Sequence, residues 1–162
     1  MEPDKFDPEV KWRSMVSIFL NYISGLHKIL IERFGEETAE EIRDTTLETF
    51  WREQAQAFIE LFALKAGDIA NVSAIKKTIA ALFDIKYKPN IKKEEDEVID
   101  EADYRYCPIR TVLKNVMEDI CDFCERIGKV FIEALDPNFT HKIIIEGDVC
   151  RHITLRKTED SE

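Results

Sequence analysis

The sequence predicts an α+β fold, on two observations. From about Pro8 to Phe83 apolar residues recur at spacings of three and four, the period of a helix buried along one side. From about Asp84 onward the spacing shortens towards two, and turn residues separate the apolar runs, as in hairpins. Strands joined in hairpins form an antiparallel sheet. Helices and strands segregated along the chain give α+β rather than alternating α/β. The predicted order is three N-terminal helices followed by a ββαββ unit.

The first helix runs from about Pro8 to Phe34 and carries Trp12, Met15, Val16, Phe19, Tyr22, Ile23, Leu26, Leu30 and Phe34 on one stripe. Gly35 ends it. The second, about Glu36 to Leu64, carries Ala39, Ile42, Leu47, Phe50, Trp51, Phe58, Leu61 and Phe62. Gly67-Asp68 breaks the chain, and Asp68 suits the N-cap of a third helix, about Ile69 to Phe83. A strand from Asp84 to Ile91, with Pro89 at an edge, is followed by a charged turn from Lys92 to Glu97 and a strand from Val98 to Cys107. A helix from about Thr111 to Leu135 stops before Pro137, because the residue preceding proline resists helical geometry. Thr140 to Ile145 and Val149 to Arg156 form the last hairpin, around Glu146-Gly147-Asp148.

Length and composition bound the function. The 162 residues fit a single domain, 1–162, with a helical part at about 8–83, a sheet-bearing part at about 84–157 and a short acidic tail at 158–162. The net charge of -10 opposes a grip on nucleic-acid backbone, which needs clustered Lys and Arg. Met1 to Lys5 lack the basic start and apolar run of a signal peptide, and charge interrupts the apolar stretches before a bilayer-spanning length. The expectation is therefore a cytoplasmic protein with no membrane contact and with reduced thiols, which binds a small molecule and is a candidate homo-oligomer.

The four cysteines carry the most information, and all lie in the second half. Cys107 precedes Pro108, Cys121 and Cys124 share a predicted helix, and Cys150 opens the last strand. Cys124 falls on the core-facing stripe of that helix with Leu113, Met117, Ile120, Ile127 and Phe131, and Cys121 is one turn earlier. Where helix crosses sheet, Cys107, Cys121, Cys124 and Cys150 have the softness and number to hold zinc or an iron–sulfur cluster. They equally suit small core residues, since free cysteine is among the most buried types. A single Cys-x-x-Cys inside a helix does not separate these readings, nor does it exclude a catalytic or ligand-contacting thiol.

His152 shares a strand face with Cys150 and is a candidate partner, while the opposite face (Val149, Ile153, Leu155) is the more apolar and is expected to meet the helix. Asp148 is either a turn residue or an acid or base beside Cys150 and His152. Cys107, Asp148, Cys150 and His152 are thus the catalytic candidates. His27 reads as structural, His141 as an exposed strand residue, and Trp12 and Trp51 as core. Seven acidic residues between Glu94 and Asp103 read as a solvated strand edge.

Phe34-Gly35-Glu36-Glu37, Cys107-Pro108, Cys124-Glu125 and Gly147-Asp148-Val149-Cys150 together resemble the L-2-amino-thiazoline-4-carboxylate hydrolase-like family over about residues 15–157. More distantly they resemble the 4-vinyl-reductase-type small-molecule-binding domains. The resemblance implies functional roles for Cys107, Cys124, Asp148 and Cys150, on an α+β scaffold that opens a thiazoline ring or binds a small ligand. Cys121 and His152 fall outside that pattern. Three functions follow as expectations: a cysteine-lined small-molecule- or metal-binding protein, a hydrolase of small cyclic amides or thiazolines, and a non-catalytic scaffold with inert thiols.

Overall fold

Asp7 opens helix α1 (Pro8–Phe34): its carboxylate accepts the Glu9 N–H at 2.7 Å, and Pro8 sits in the first turn, where no N–H is needed. Gly35, at φ 82°, closes the helix and donates to Ile31 O at 2.9 Å. Glycine meets little resistance at positive φ, so the chain reverses at once into α2 (Glu36–Phe62). Asp68 caps α3 (Ile69–Leu82), accepting the Ala70 and Asn71 N–H groups at 3.0 and 3.1 Å. The structure, a computed structural model, describes residues 7–88, 92–93, 97–114 and 120–157.

The protein is α+β. Strands β1 (Lys92–Lys93), β2 (Glu97–Asp103), β3 (Phe139–Glu146) and β4 (Val149–Arg156) form one antiparallel sheet in the order β1-β2-β4-β3. β3 and β4 are joined by the two-residue turn Gly147-Asp148. β2 and β4 pair from Glu97↔Leu155 to Asp103↔Val149. After β2, a 3-10 turn (Tyr104–Tyr106) leads into α4 (Pro108–Leu113), and α5 (Ile120–Leu135) precedes β3.

Four segments depart from their sequence expectation. The strand expected from Val98 to Cys107 ends at Asp103, whose carboxylate accepts the Arg105 N–H and starts the 3-10 turn. Among the described residues, Asp84 to Lys88 make no strand: Asp84 sits in a turn at φ 58°, and Tyr87 forms one isolated bridge to Ala102. Pro89, Asn90 and Ile91 lie outside the described residues. Of the turn expected between Lys92 and Glu97, Lys92 and Lys93 form β1, paired with Ile99 and Val98, Glu97 opens β2, and Glu94 to Asp96 lie outside the described residues. The helix expected from Thr111 begins earlier, at Pro108, because proline fits a first helical turn, and Leu113 is its last residue. Met117, placed by spacing on the helical stripe, lies outside the described residues, as do Met1 to Lys5 and the tail 158–162.

Helices α3 and α5 cover one face of the sheet. Val72 and Ile75 of α3 meet Ile132 and Leu135 of α5, Val98 of β2 and Phe139 of β3 in the main core. α2 lies on α5: Trp51 and Phe58 meet the Phe131 ring edge-on at 5.4 and 6.1 Å, and Arg126 pairs with Asp44 at 2.8 Å. α1 packs in turn on α2 and α4.

On β4 the inward face is the more polar of the two. Thr154, in phase with Cys150 and His152, is fully buried and bonded to Lys76 of α3. The apolar alternation of β4 therefore does not decide which face meets the helices; Val98 and Phe139 of the neighbouring strands turn inward, with the buried Asp100 on the same side. The acidic run is likewise not all solvated, since Asp100 is fully buried and Glu101 nearly so, with Arg151 Nε 2.8 Å from Glu101 Oε1. The α1 stripe is another departure. Only Val16, Leu20 and His27 of this helix are buried, and Trp12 is 40% exposed. Trp51 is half-buried against the core. Between Arg13 and Glu32 the one formal charge is Lys28, so α1 has the length and composition to cross a membrane, contrary to the expected interruption.

At the free edge of β3, Glu125 of α5 accepts the Ile143 N–H at 2.6 Å. Beside this contact the His141 ring lies on Gly128, where an added Cβ would stand 2.2 Å from His141 Cδ2. In an open helix Gly→Ala gains up to ~1 kcal/mol. Here Gly128→Ala should cost about 1–3 kcal/mol by overpacking, read as a lowered midpoint in urea unfolding. Unchanged or raised stability would show that α5 and β3 are not held this close.

Candidate functional site

The β2–β4 register sets Ala102 opposite Cys150 and Asp100 opposite His152, so both pairs face the helical layer. Cys124 and Cys121 approach from α5, and Cys107 from the turn that starts α4. All four cysteines line one cavity of about 480 Å³, together with His152. Ala102, Ile109, Ile120 and Ile143 supply apolar wall, and Tyr104, Tyr106, Arg13, Asp84, Lys86, Asp103 and Arg110 add polar groups. Arg13 and Lys86 are exposed and form part of the rim. Asp148 is absent from this lining. It sits at the exposed hairpin tip, with Oδ2 3.3 Å from Arg105 Nη1, and behaves as a turn residue.

The cysteines are free thiols in partly buried positions. Cys150 Sγ lies 3.3 Å from His152 Nε2, within hydrogen-bond reach for sulfur. Cys121 donates to Tyr104 Oη at 3.9 Å, and the Arg110 guanidinium covers the Tyr104 ring at 4.5 Å. Burial raises the Cys107 pKa, partly opposed by the Ile109 and Arg110 N–H groups. Burial pushes Cys150 up to about 12, with the neighbouring Cys107 and Cys121 thiols adding to it. Cys124 is raised by the same causes, burial first and then Cys107, Cys121 and Cys150. At neutral pH these three are thiols, not thiolates. Among the described residues no group of three or more His, Cys, Asp or Glu side chains is placed to hold a metal ion.

Beneath the thiols is a buried charge centre. Asp100 accepts from Ser73 Oγ at 2.9 Å and pairs with Lys76 Nζ at 2.9 Å and Lys77 Nζ at 2.7 Å. Burial pushes the Asp100 carboxyl up, but the Lys76 charge and the bonds from Lys77, Lys76 and Ser73 outweigh it and hold the pKa below its usual range. Burial lowers the Lys76 pKa despite Asp100. Tyr87 packs edge-on against His152 at 5.2 Å, and its pKa rises through burial, Asp100 and then the thiols. Burial, then Lys76, drives His152 down to about 3. His141, whose ring is 5.4 Å from that of His152, is buried and not exposed as the sequence suggested, and is lowered by burial, Lys76 and His152.

Comparison of the chain with models of known protein families and with proteins of curated function found no match. Geometry alone therefore ranks the residues. The four cysteines and His152 of the sequence reading come together; Asp148 does not join them. Lys76, Tyr87, Asp100 and His141 were missed. The signal for Asp100 was present: it alternates with Val98 and Ala102, which puts a carboxylate on the inward face of a strand. Lys76 lies on α3 next to the apolar Val72, Ile75 and Ile79, a position that buries its amine.

Two outcomes follow. Asp100→Asn removes the charge that compensates Lys76 and should cost ~3–5 kcal/mol, the range for breaking a buried ion pair; a loss under 1 kcal/mol in chemical unfolding contradicts the pairing. The second concerns acid. His152 has a folded pKa near 3 against 6.5 unfolded, so its contribution is complete above pH 6.5 and is lost as pH falls towards 3. His141 acts in the same direction. Stability should therefore decline from pH 6.5 by up to ~1.4 kcal/mol per pH unit per histidine. A flat melting temperature between pH 7 and 5 would contradict buried neutral imidazoles.

Proposed function

We propose that the protein binds a small organic molecule in the thiol-lined cavity, with Cys107, Cys121, Cys124 and Cys150 as contacts and His152 as a hydrogen-bond partner. One observation carries this reading: thiols from three separate segments line a single cavity of about 480 Å³. That volume lies within the ~300–1,000 Å³ of small-ligand sites. A protonated thiol is a polarisable, weakly polar surface, so the wall favours a neutral, polarisable body with polar groups turned towards the rim. The three helices serve as a cover over a ββαββ ligand unit, and a cytoplasmic setting would keep the thiols reduced. The resemblance to the L-2-amino-thiazoline-4-carboxylate hydrolase-like family, carried by Cys107-Pro108, Cys124-Glu125 and Gly147-Asp148-Val149-Cys150, supports the same site.

The Cys150–His152 contact favours a second reading, a hydrolase of small cyclic amides or thiazoline carboxylates with Cys150 as nucleophile and His152 as its base. In the free protein that proton transfer runs strongly uphill, from a thiol near 12 to an imidazole near 3. Binding without turnover is therefore the first reading.

Native mass spectrometry and elemental analysis of protein purified without oxygen decide between them. The expected result is a bound organic mass, no stoichiometric metal, and loss of the bound mass in folded Cys107→Ser and Cys150→Ser. Stoichiometric zinc or iron, lost in the same variants, would replace the organic ligand by a metal centre. Turnover of a thiazoline carboxylate that is abolished by Cys150→Ala and His152→Gln would establish the hydrolase. No ligand, no metal and iodoacetamide-inert thiols would leave a scaffold.

A further inference from the structure

Helix α1 turns the wrong face outward for an isolated protein. Met15, Ile18, Phe19, Tyr22, Leu26 and Ile29 are between 42% and 70% exposed, and they form one continuous strip. The other side of the helix already rests on α2 and α4. Large apolar side chains each present on the order of 150–250 Å² when fully exposed, so at about half exposure these six offer roughly 600 Å². A monomer's largest apolar patch is ~300–600 Å², and a stable interface takes ~800 Å² from each partner. With Trp12 and Phe34 at its ends, both at least 40% exposed, the strip reaches the size of an interface.

We propose that α1 is the interface of a two-fold homodimer, in which the helix packs antiparallel against a second copy of itself about an axis at Tyr22. The sequence is self-complementary under that operation. Met15 falls opposite the partner's Ile29, Ile18 opposite the partner's Leu26, and Tyr22 opposite the partner's Tyr22. Phe19 falls opposite the partner's Gly25, and nothing lies within 4 Å of where a Gly25 Cβ would be. One of the largest side chains thus meets the smallest, at a place where the surface is open. Met15, Tyr22 and Ile29 are seven apart, the repeat that keeps one seam facing a partner helix. Glu32 comes next to the partner's Lys11 at each end of the seam, and neither makes an ion pair within the chain among the described residues.

A lipid bilayer is the competing occupant, and the neighbouring helix disfavours it. α2, on which α1 rests, carries Glu36, Glu37, Glu40, Glu41, Asp44, Glu48, Glu53 and Glu60. A helix so acidic does not follow α1 into hydrocarbon, and a net charge of -10 repels anionic lipid.

Analytical ultracentrifugation of the full chain between 1 and 100 µM tests the proposal, with circular dichroism and melting curves as folding controls. The expected result is a dimer that Ile18→Glu converts to monomer with at least a tenfold weaker association and an unchanged fold. Gly25→Leu separates this interface from a merely sticky surface. Its side chain enters open space in the monomer and favours helix, yet it occupies the place of the partner's Phe19. It should leave the monomer's melting temperature equal or higher while weakening the dimer at least tenfold. Tyr22→Cys should cross-link to itself on oxidation. A monomer at 100 µM, a dimer indifferent to Ile18→Glu and Gly25→Leu, or monomeric protein bound to phosphatidylcholine vesicles would each overturn the proposal.

Discussion

The buried pair between Asp100 and Lys76 governs the arrangement of this molecule. A carboxylate with no exposed surface, 2.9 Å from a lysine that is itself buried, is tolerated only when charge and hydrogen bonds compensate it. Ser73, Lys77 and Thr154 complete that compensation. Because the partners come from α3, β2 and β4, the pair ties to α3 the same sheet face that Val98 and Phe139 turn towards the helices. Cys150 and His152 are carried inward with Thr154, although the alternate residues of β4 are the more apolar. Had the alternation of β4 alone set the orientation, Cys150 and His152 would face away from α5.

The same burial sets the chemistry of the cavity. Lys76 is the fixed positive charge near His152 and His141, and with desolvation it keeps both imidazoles neutral. Desolvation also raises the Cys107, Cys124 and Cys150 thiols, so these groups face the cavity uncharged beside a neutral imidazole. Such a lining is suited to holding a polarisable guest. It becomes reactive only if the guest itself brings charge or displaces the desolvating wall.

The sequence made much of the local structure legible and less of its placement. α1 to α3 were readable because helical periodicity and the Asp68 cap are local signals, and β4 was readable from its alternation and the Gly147-Asp148 turn. The clustering of the cysteines was legible only as membership in one half, since their meeting depends on the long-range register of Ala102 opposite Cys150. Asp100 was misjudged because six other acidic residues surround it in sequence and composition outweighs parity in such a run. The α1 stripe shows the converse limit. Periodicity establishes that a face is apolar but not what covers it, and here most of the face points away from the core.

Glu125 occupies an edge N–H of β3 that another strand would otherwise use. This one carboxylate affects the topology of assembly. Sheet edges that remain free add strands without limit and grow into filaments. Where a carboxylate already holds the Ile143 N–H, an added strand loses that bond of its ladder, and surfaces that saturate gain by comparison. A two-fold helical contact is such a surface, because the pairing consumes the face that made it. Glu125 thereby acts on the side of closed assembly, which the proposed α1 contact would provide, and against open-ended polymer.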